Sequence, residues 1–364
     1  MKIGYYISGH GYGHAVRSVP VIRGLKDLGC TVLIKTLCPP FLFRDGGKEG
    51  IRVLPEGFDV GLVQTDNLRF DLEKTYKEVT ALLDSAEERI EKEKDFLLRN
   101  KVNGVVCDIP FLPLEAAFRA GLPSAAVGNF SWDWIYAHYA KKDERWSFVV
   151  RAIRPYYRRA GLLLRLPFHG PMKAFPRVED IPLVLRRSSM KKMEIRRLLD
   201  LPKDRKIGLV AFSHLSLSSR ALKEINALSS RCLFLIREPL HWEGPAFRKV
   251  KGKGLSFIDL VRGADFVLTK PGYGIVSDCL AHKVPMVYCD RGDFPEYAIL
   301  VKAIKTGLPH QYLSQKDLYE GRWENVLAPF RPPLGGRLWR GNGAGVAAKK
   351  IVRWFVAFYR EKDR

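Results

Sequence analysis

The chain has 364 residues, 46% of them hydrophobic and 27% charged, with a formal net charge of +22. That length and apolar content suit two packed domains of about 150 residues each and exclude a disordered or fibrous protein. No run of about 18 apolar residues is present to cross a bilayer, and Cys30, Cys38, Cys107, Cys232, Cys279 and Cys289 are dispersed, without a Cys-x-x-Cys pair or a His/Cys cluster at metal-ligand spacing. The pattern predicts a reducing compartment, no structural zinc, and a cytoplasmic protein whose N-terminus enters a core strand with no charged leader.

The first apolar run, 3–7, passes straight into Ser8-Gly9-His10-Gly11-Tyr12-Gly13-His14-Ala15-Val16-Arg17. A buried strand that breaks into alternating glycines and then starts a helix brings backbone N–H groups to the helix's positive end, which suits a phosphate or a carbohydrate. His10 and His14 add side chains that titrate near neutral pH. The dinucleotide fingerprint G-x-G-x-x-G is excluded, because Gly9, Gly11 and Gly13 have a different spacing and the second apolar run, 31–36, ends near Lys35 and not at an acid. No G-x-x-x-x-G-K-[ST] segment occurs, so a P-loop enzyme is unsupported.

Further apolar runs at 104–107 and 123–127 alternate with helical patterns at 14–28, 68–99 and 113–120, the arrangement of a doubly wound parallel sheet. Prolines and charges crowd 160–205, where the connection between domains is expected. The pattern then restarts, with strands at 207–212, 232–236, 265–269 and 285–289 and helices near 216–228, 274–283 and 294–305. A terminal amphipathic helix is expected over 345–359.

A second glycine turn, Thr269-Lys270-Pro271-Gly272-Tyr273-Gly274-Ile275-Val276-Ser277-Asp278, again joins the end of a strand to a helix. Its amides suit a pyrophosphate, and Asp278, one turn into the helix, suits a ribose diol; a tight turn with a surface acid is the plainer reading. Two α/β domains, each with such a turn, are expected to face one another across a cleft.

The charge is uneven: net +10 over 141–200 and +7 over 331–364, both segments interleaving basic and aromatic residues such as Arg145-Trp146 and Arg353-Trp354-Phe355. A solvated basic surface and an anionic membrane surface with a lipid-linked acceptor are both open readings. Nucleic acid is the weakest, since no recognised module accompanies the charge. Trp132 and Trp134 fit either stacking on a sugar or packing beneath a loop, and the isolated His138, His169, His241, His282 and His310 read as surface or packing residues.

Together the G-x-G-x-G-H turn at 9–14, the K-P-G-x-G-x-x-S-D segment at 270–278, Asp293-Phe294-Pro295-Glu296 and Gly343-Ala344-Gly345-Val346-Ala347-Ala348 resemble the GT-B glycosyltransferases. Within that fold the chain is similar to the group containing the bacterial peptidoglycan N-acetylglucosaminyltransferase. Through 9–15, Asn129-Phe130-Ser131-Trp132-Asp133 and 270–278, it is also similar to the glycosyltransferase-like N-terminal region of plant L-arabinokinase. The resemblance implies an α/β GT-B fold of two Rossmann-like domains facing a cleft: an acceptor-side domain over 1–165, a nucleotide-sugar domain over 166–340, and a helix over 341–364 crossing back to the first.

It further implies a glycosyltransferase that needs no cofactor and uses a nucleotide sugar, UDP-sugar foremost, as its donor. His14 corresponds to the family's base or phosphate ligand, with His10 as competitor. Asp108 is placed to orient His14, to contact the acceptor, or merely to cap the next segment. The donor residues implied are Gly11, Gly13, Ser213, Phe257, Ile258, Lys270, Pro271, Gly272, Tyr273, Gly274, Ser277, Asp278, Asp293 and Glu296. Ser213-His214 sits where a phosphate-contacting turn is expected and Ser256-Phe257-Ile258 where the base is held. Two departures concern the donor: Asp stands at 278 where Glu is usual, and the sugar-reading Asp-Gln pair is missing. No Asp-x-Asp pair holds a metal, so Lys270 or Arg17 and the helix ends after 213 and 272 are expected to stabilise the leaving diphosphate. Inversion follows from the resemblance alone, and a binding protein without transfer or an epimerase of this fold are the rival functions.

Overall fold

The computed structural model describes residues 1–43, 51–65, 68–252, 254–335 and 341–363, which form two compact units. The first opens with β1 (Lys2–Ile7), α1 (Tyr12–Asp27), β2 (Thr31–Lys35), β3 (Ile51–Leu54), α2 (Leu72–Asp84), α3 (Ala86–Arg99) and β4 (Gly104–Asp108). It continues with α4 (Leu112–Arg119), β5 (Ser124–Gly128), α5 (Trp132–Tyr139), α6 (Arg145–Tyr157), β6 (Leu162–Arg165) and β7 (Val178–Asp180). The seven strands are ordered β3-β2-β1-β4-β5-β6-β7 and every pairing is parallel. The central strands β4 and β5 are buried throughout, as expected where helices cover both faces of a parallel sheet.

The second unit contains α7 (Lys192–Leu198), β8 (Lys206–Val210), α8 (Ser219–Asn226), β9 (Cys232–Ile236), β10 (Phe247–Lys249) and α9 (Phe257–Gly263). It ends with β11 (Phe266–Thr269), α10 (Tyr273–His282), β12 (Met286–Tyr288), α11 (Glu296–Gly307), β13 (His310–Tyr312) and α12 (Gln315–Glu320). Its six strands are parallel in the order β10-β9-β8-β11-β12-β13. A short excursion of the chain near Gln64 also belongs here: Gln64 bridges Phe70, and Leu68 is buried in one core with Phe212, Phe234 and Trp323.

The last helix, α13 (Gly343–Lys362), returns to the first unit. Phe355 lies so close to Gly104 that a Cβ there would sit 2.3 Å from its ring, and a Cβ at Gly24 of α1 would lie 3.0 Å from Ala348 Cβ, tighter than ordinary van der Waals contact. Trp354 Nε1 donates to the Ser124 carbonyl at 3.1 Å and Tyr359 Oη to that of Asn103 at 2.9 Å. Glycine at 24 and 104 is thus what lets this helix seat.

The boundary between units falls at Leu185–Arg186, later than the 165/166 division read from the sequence, because β7 pairs with β6. The helix expected over 68–99 is two, broken where Ser85 ends α2 and begins α3, and it starts only after Asp71, whose side chain caps it by accepting from Lys74 N at 2.8 Å. β3, β6, β7, β10 and β13, at or near the sheet edges, carry no long apolar run and escape periodicity. The six cysteines are free and buried, and among the described residues no helix is long and apolar enough to cross a membrane.

Candidate functional site

In the first unit the strand order reverses between β2-β1 and β4, the kind of switch point where an open α/β sheet binds ligands. The turn after β1 reaches it. Gly11 has φ 74°, which disfavours a side chain, whereas Gly13 is helical with nothing within 4 Å of a Cβ. The protein's own packing therefore leaves room for more than glycine at 13. Gly11, at the N-cap of α1, makes no side-chain cap, so the first amides of that helix lack an internal acceptor.

His14, Arg17 and Ser18 project from one face of α1 onto Asp108 at the end of β4. His14 Nδ1 lies 2.8 Å from Asp108 Oδ1, Arg17 Nε donates to Oδ2 at 2.7 Å, and Ser18 Oγ donates to Oδ2 at 2.8 Å. Arg17 Nη2 also bonds Oδ1 and lies 2.9 Å from His14 Nδ1, while Nη1 donates to Asn129 Oδ1. Asp108 is 0% exposed and His14 4%. Burial pushes the Asp108 carboxyl up, but Arg17 and His14 together outweigh it and hold the pKa at about 2. Among the readings open for Asp108, the geometry brings it against His14, and the carboxylate is fully enclosed.

His10 is differently engaged. Its Nδ1 accepts the Leu62 amide at 3.2 Å, and Gly61, at φ 75°, comes so close that a Cβ would lie 2.6 Å from His10 Cβ. Trp132 is fully buried, edge-on to His10 at 5.2 Å, and donates through Nε1 to Asp59 Oδ2 at 2.7 Å, which is the packing role and not a sugar platform. Asp59 is a residue that sequence reasoning missed. Burial raises its carboxyl pKa against hydrogen bonds from Ser8 and Trp132.

In the second unit the turn Lys270-Pro271-Gly272 follows β11. Thr269 Oγ1 donates to the Ala211 carbonyl at 2.8 Å, tying this turn to the end of β8. α10 begins after Gly272 with no side-chain cap and no acid in its first turn. Ser277 Oγ donates back to the Tyr273 carbonyl at 2.8 Å, so its hydroxyl is used within the helix. Asp278 departs from its expected role: it is 1% exposed and both oxygens are held by Arg186, with Nε at 3.1 Å and Nη2 on the other oxygen. Burial nonetheless raises its pKa against the pull of that guanidinium. The fit to a ribose diol is replaced here by an internal ion pair whose arginine has no sequence signal.

Glu296 is likewise turned inward, 3% exposed, with Arg291 Nη1 at 2.9 Å. Asp293 is exposed beside it. Ser213 is exposed on a loop and not at a helix end, since α8 starts only at Ser219, where Ser218 caps it by accepting from Ala221 N at 3.2 Å. Phe257 and Ile258 open α9, Phe257 half-buried and Ile258 buried; Ser256 caps the helix through Asp259, which also accepts from Ser188. His282 is no isolated residue: its Nε2 accepts from Ser188 N at 3.0 Å. Among the described residues no group of three or more His, Cys, Asp or Glu is placed to hold a metal ion.

The basic segments are partly compensated. Arg145 pairs with Asp143 and Glu73, Arg154 with Asp133, Arg159 with Glu115, and Lys350 with Glu179 at 2.6 Å.

No protein-family model matches the chain. It is 33% identical over 369 residues to L-arabinokinase of Arabidopsis thaliana, an alignment that takes in 99% of this chain and 35% of that protein. The chain thus spans about a third of the relative's length. Among solved structures it resembles the glycosyltransferase of kitacinnamycin at 16% identity and a TM-score of 0.59, over 98% of this chain and 95% of that one. A UDP-glucosyltransferase from Polygonum tinctorium matches at 15% and 0.58, over 99% and 93%. A spinosyn rhamnosyltransferase complexed with thymidine diphosphate matches at 13% and 0.58, over 98% and 96%. The two parallel sheets with their helices are a GT-B glycosyltransferase-like fold.

Proposed function

We propose that the chain transfers a sugar from a nucleotide sugar, a UDP-sugar foremost, to a hydroxyl acceptor, with inversion and without a metal. The observation that carries this is the 2.8 Å contact of His14 Nδ1 with Asp108 beside a glycine turn that keeps space open at Gly13. A proton held on Nδ1 by the carboxylate leaves the lone pair on Nε2. In this reading Nε2 takes the acceptor's hydroxyl proton as its oxygen bonds the anomeric carbon, and the bond from that carbon to the diphosphate breaks. The departing nucleoside diphosphate carries the electron pair away; within the second unit, the first amides of α10 and Lys270 are the groups whose chemistry suits such an anion. The solved neighbours in complex with thymidine diphosphate or with UDP support a nucleotide-sugar donor.

A second reading is favoured by one observation. Arg17 already neutralises Asp108, which leaves less negative charge to balance the imidazolium formed during transfer, and this suits a protein that binds a nucleotide sugar without transferring it. Incubation with a panel of UDP- and dTDP-sugars, followed by product analysis, separates the cases: a new glycoside, an epimerised donor, or bound and unchanged donor. Since the sequence relative is named a kinase, ATP with L-arabinose belongs in the same panel. An anionic surface as acceptor side rests on the basic segments, and vesicle sedimentation at low salt tests it.

A further inference from the structure

Glu296, one of the acids read from sequence as a donor contact, is held by a residue that was not singled out, Arg291. It follows β12 and is 9% exposed. Its Nη1 donates to the Pro271 carbonyl at 3.0 Å and to Glu296 Oε2 at 2.9 Å. The guanidinium lies 4.1 Å from the centre of the Phe294 ring, and its buried Nε has no hydrogen-bond partner among the described residues. Pairing with one carboxylate does not account for such a group, because an enclosed ion pair rarely repays its own desolvation. What the arginine reaches is informative: the Pro271 carbonyl immediately precedes Gly272, the N-cap of α10.

Anchoring that carbonyl fixes the peptide plane between Pro271 and Gly272, and with it the direction in which the first amides of α10 point. The anchor is itself rigid. Gly292 has φ 61°, and a Cβ there would lie 2.5 Å from the Leu68 carbonyl; Phe294 packs on Phe70 at 5.6 Å; Tyr312 Oη donates to Asp290 at 2.8 Å. We infer that Arg291 is a positioning residue that sets the Lys270–Gly272 turn to receive a nucleoside diphosphate, with Glu296 holding Arg291 and not touching the sugar. The inference rests on the reading of this turn as the donor's diphosphate site.

Calorimetric binding of UDP, UMP and uridine to the full chain tests it, using Arg291→Gln, Arg291→Lys and Glu296→Gln. Arg291→Gln is expected to weaken UDP by about 10- to 100-fold, the scale of a lost charge-assisted contact, while uridine changes by less than about threefold. Arg291→Lys keeps the charge but not the planar guanidinium on Phe294, and recovers part of the UDP affinity. Glu296→Gln falls between the wild type and Arg291→Gln. Unchanged UDP affinity in Arg291→Gln, or equal losses for all three ligands in Arg291→Lys and Glu296→Gln, overturns the inference and leaves the donor reading standing. If the wild-type chain binds neither UDP nor dTDP, the donor reading fails and the inference with it. Should Arg291→Gln not fold, the two milder variants decide.

Discussion

Replacing Arg17 with methionine keeps an unbranched stem on α1 but removes the guanidinium from Asp108. Asp108 is then a fully enclosed carboxylate with only His14 and Ser18 to hold it. Removing one partner of a buried pair costs about 3–5 kcal/mol, so the first unit should lose that much at pH 7. The pH dependence carries the test. In the wild type the folded pKa is depressed from 3.8 to about 2, so Asp108 adds stability above the unfolded value, about 2 kcal/mol, and loses it as pH falls towards 2. Without Arg17 burial dominates, the folded pKa rises above the unfolded one, and stability is instead lost as pH rises through it. The difference between the two proteins should be greatest at neutral pH and shrink below about pH 4. Urea titrations at a series of pH values, read by hydrogen exchange of β1 and β4 peptides, follow this unit apart from the other. A loss that is the same from pH 3 to 8, or below about 1 kcal/mol at pH 7, would refute the account of the clamp.

His14→Ala should lower transfer by about 10²–10⁴ in product assays while calorimetric UDP affinity stays near wild type; a matched loss of both would make His14 a phosphate ligand. Gly13→Ala, in the first turn of α1 and in open space, should change thermal stability by less than about 1 kcal/mol, yet reduce turnover if a substrate occupies that space. Asp278→Asn should cost the second unit about 1–2 kcal/mol, since the Arg186 left behind is partly exposed and burial already disfavours the Asp278 charge, with little change in uridine binding. A folded Asp278→Asn protein that has lost uridine by tenfold would restore the ribose role to that residue.

The parts of the site that were legible are those in which chemistry and local geometry coincide. Strands 3–7 and 265–269 announce themselves by apolar runs, and the glycines after them mark the turns. His14 precedes Arg17 and Ser18 by three and four residues, a spacing that fits one helix face, but Arg17 was expected on the leaving diphosphate and is instead locked on Asp108, and Ser18 was not singled out. Arg186 and Arg291 could not be read this way. Each contacts a residue distant in sequence, Asp278 or Pro271, through a turn whose course no periodicity encodes. The same blindness turned Asp278 and Glu296 from internal ion-pair partners into expected ligands, since an acid near a binding turn looks alike in sequence whether its arginine is present or not. Asp59 was hidden for another reason: it lies on an irregular loop and is defined by the indole above it.

The seating of Phe355 against Gly104 bears on how the protein is made. A ribosome delivers the first seven strands long before α13, so during synthesis the slot over Gly104 and Gly24 stays open to water for the whole time the second unit is being produced. The half-finished sheet is expected to be sticky, and chaperone occupancy should fall sharply only when the last helix emerges. Ribosome-bound chains carrying a C-terminal linker, arrested with α13 either absent or clear of the exit tunnel, would show that change as a step in protease resistance of β1 and β4.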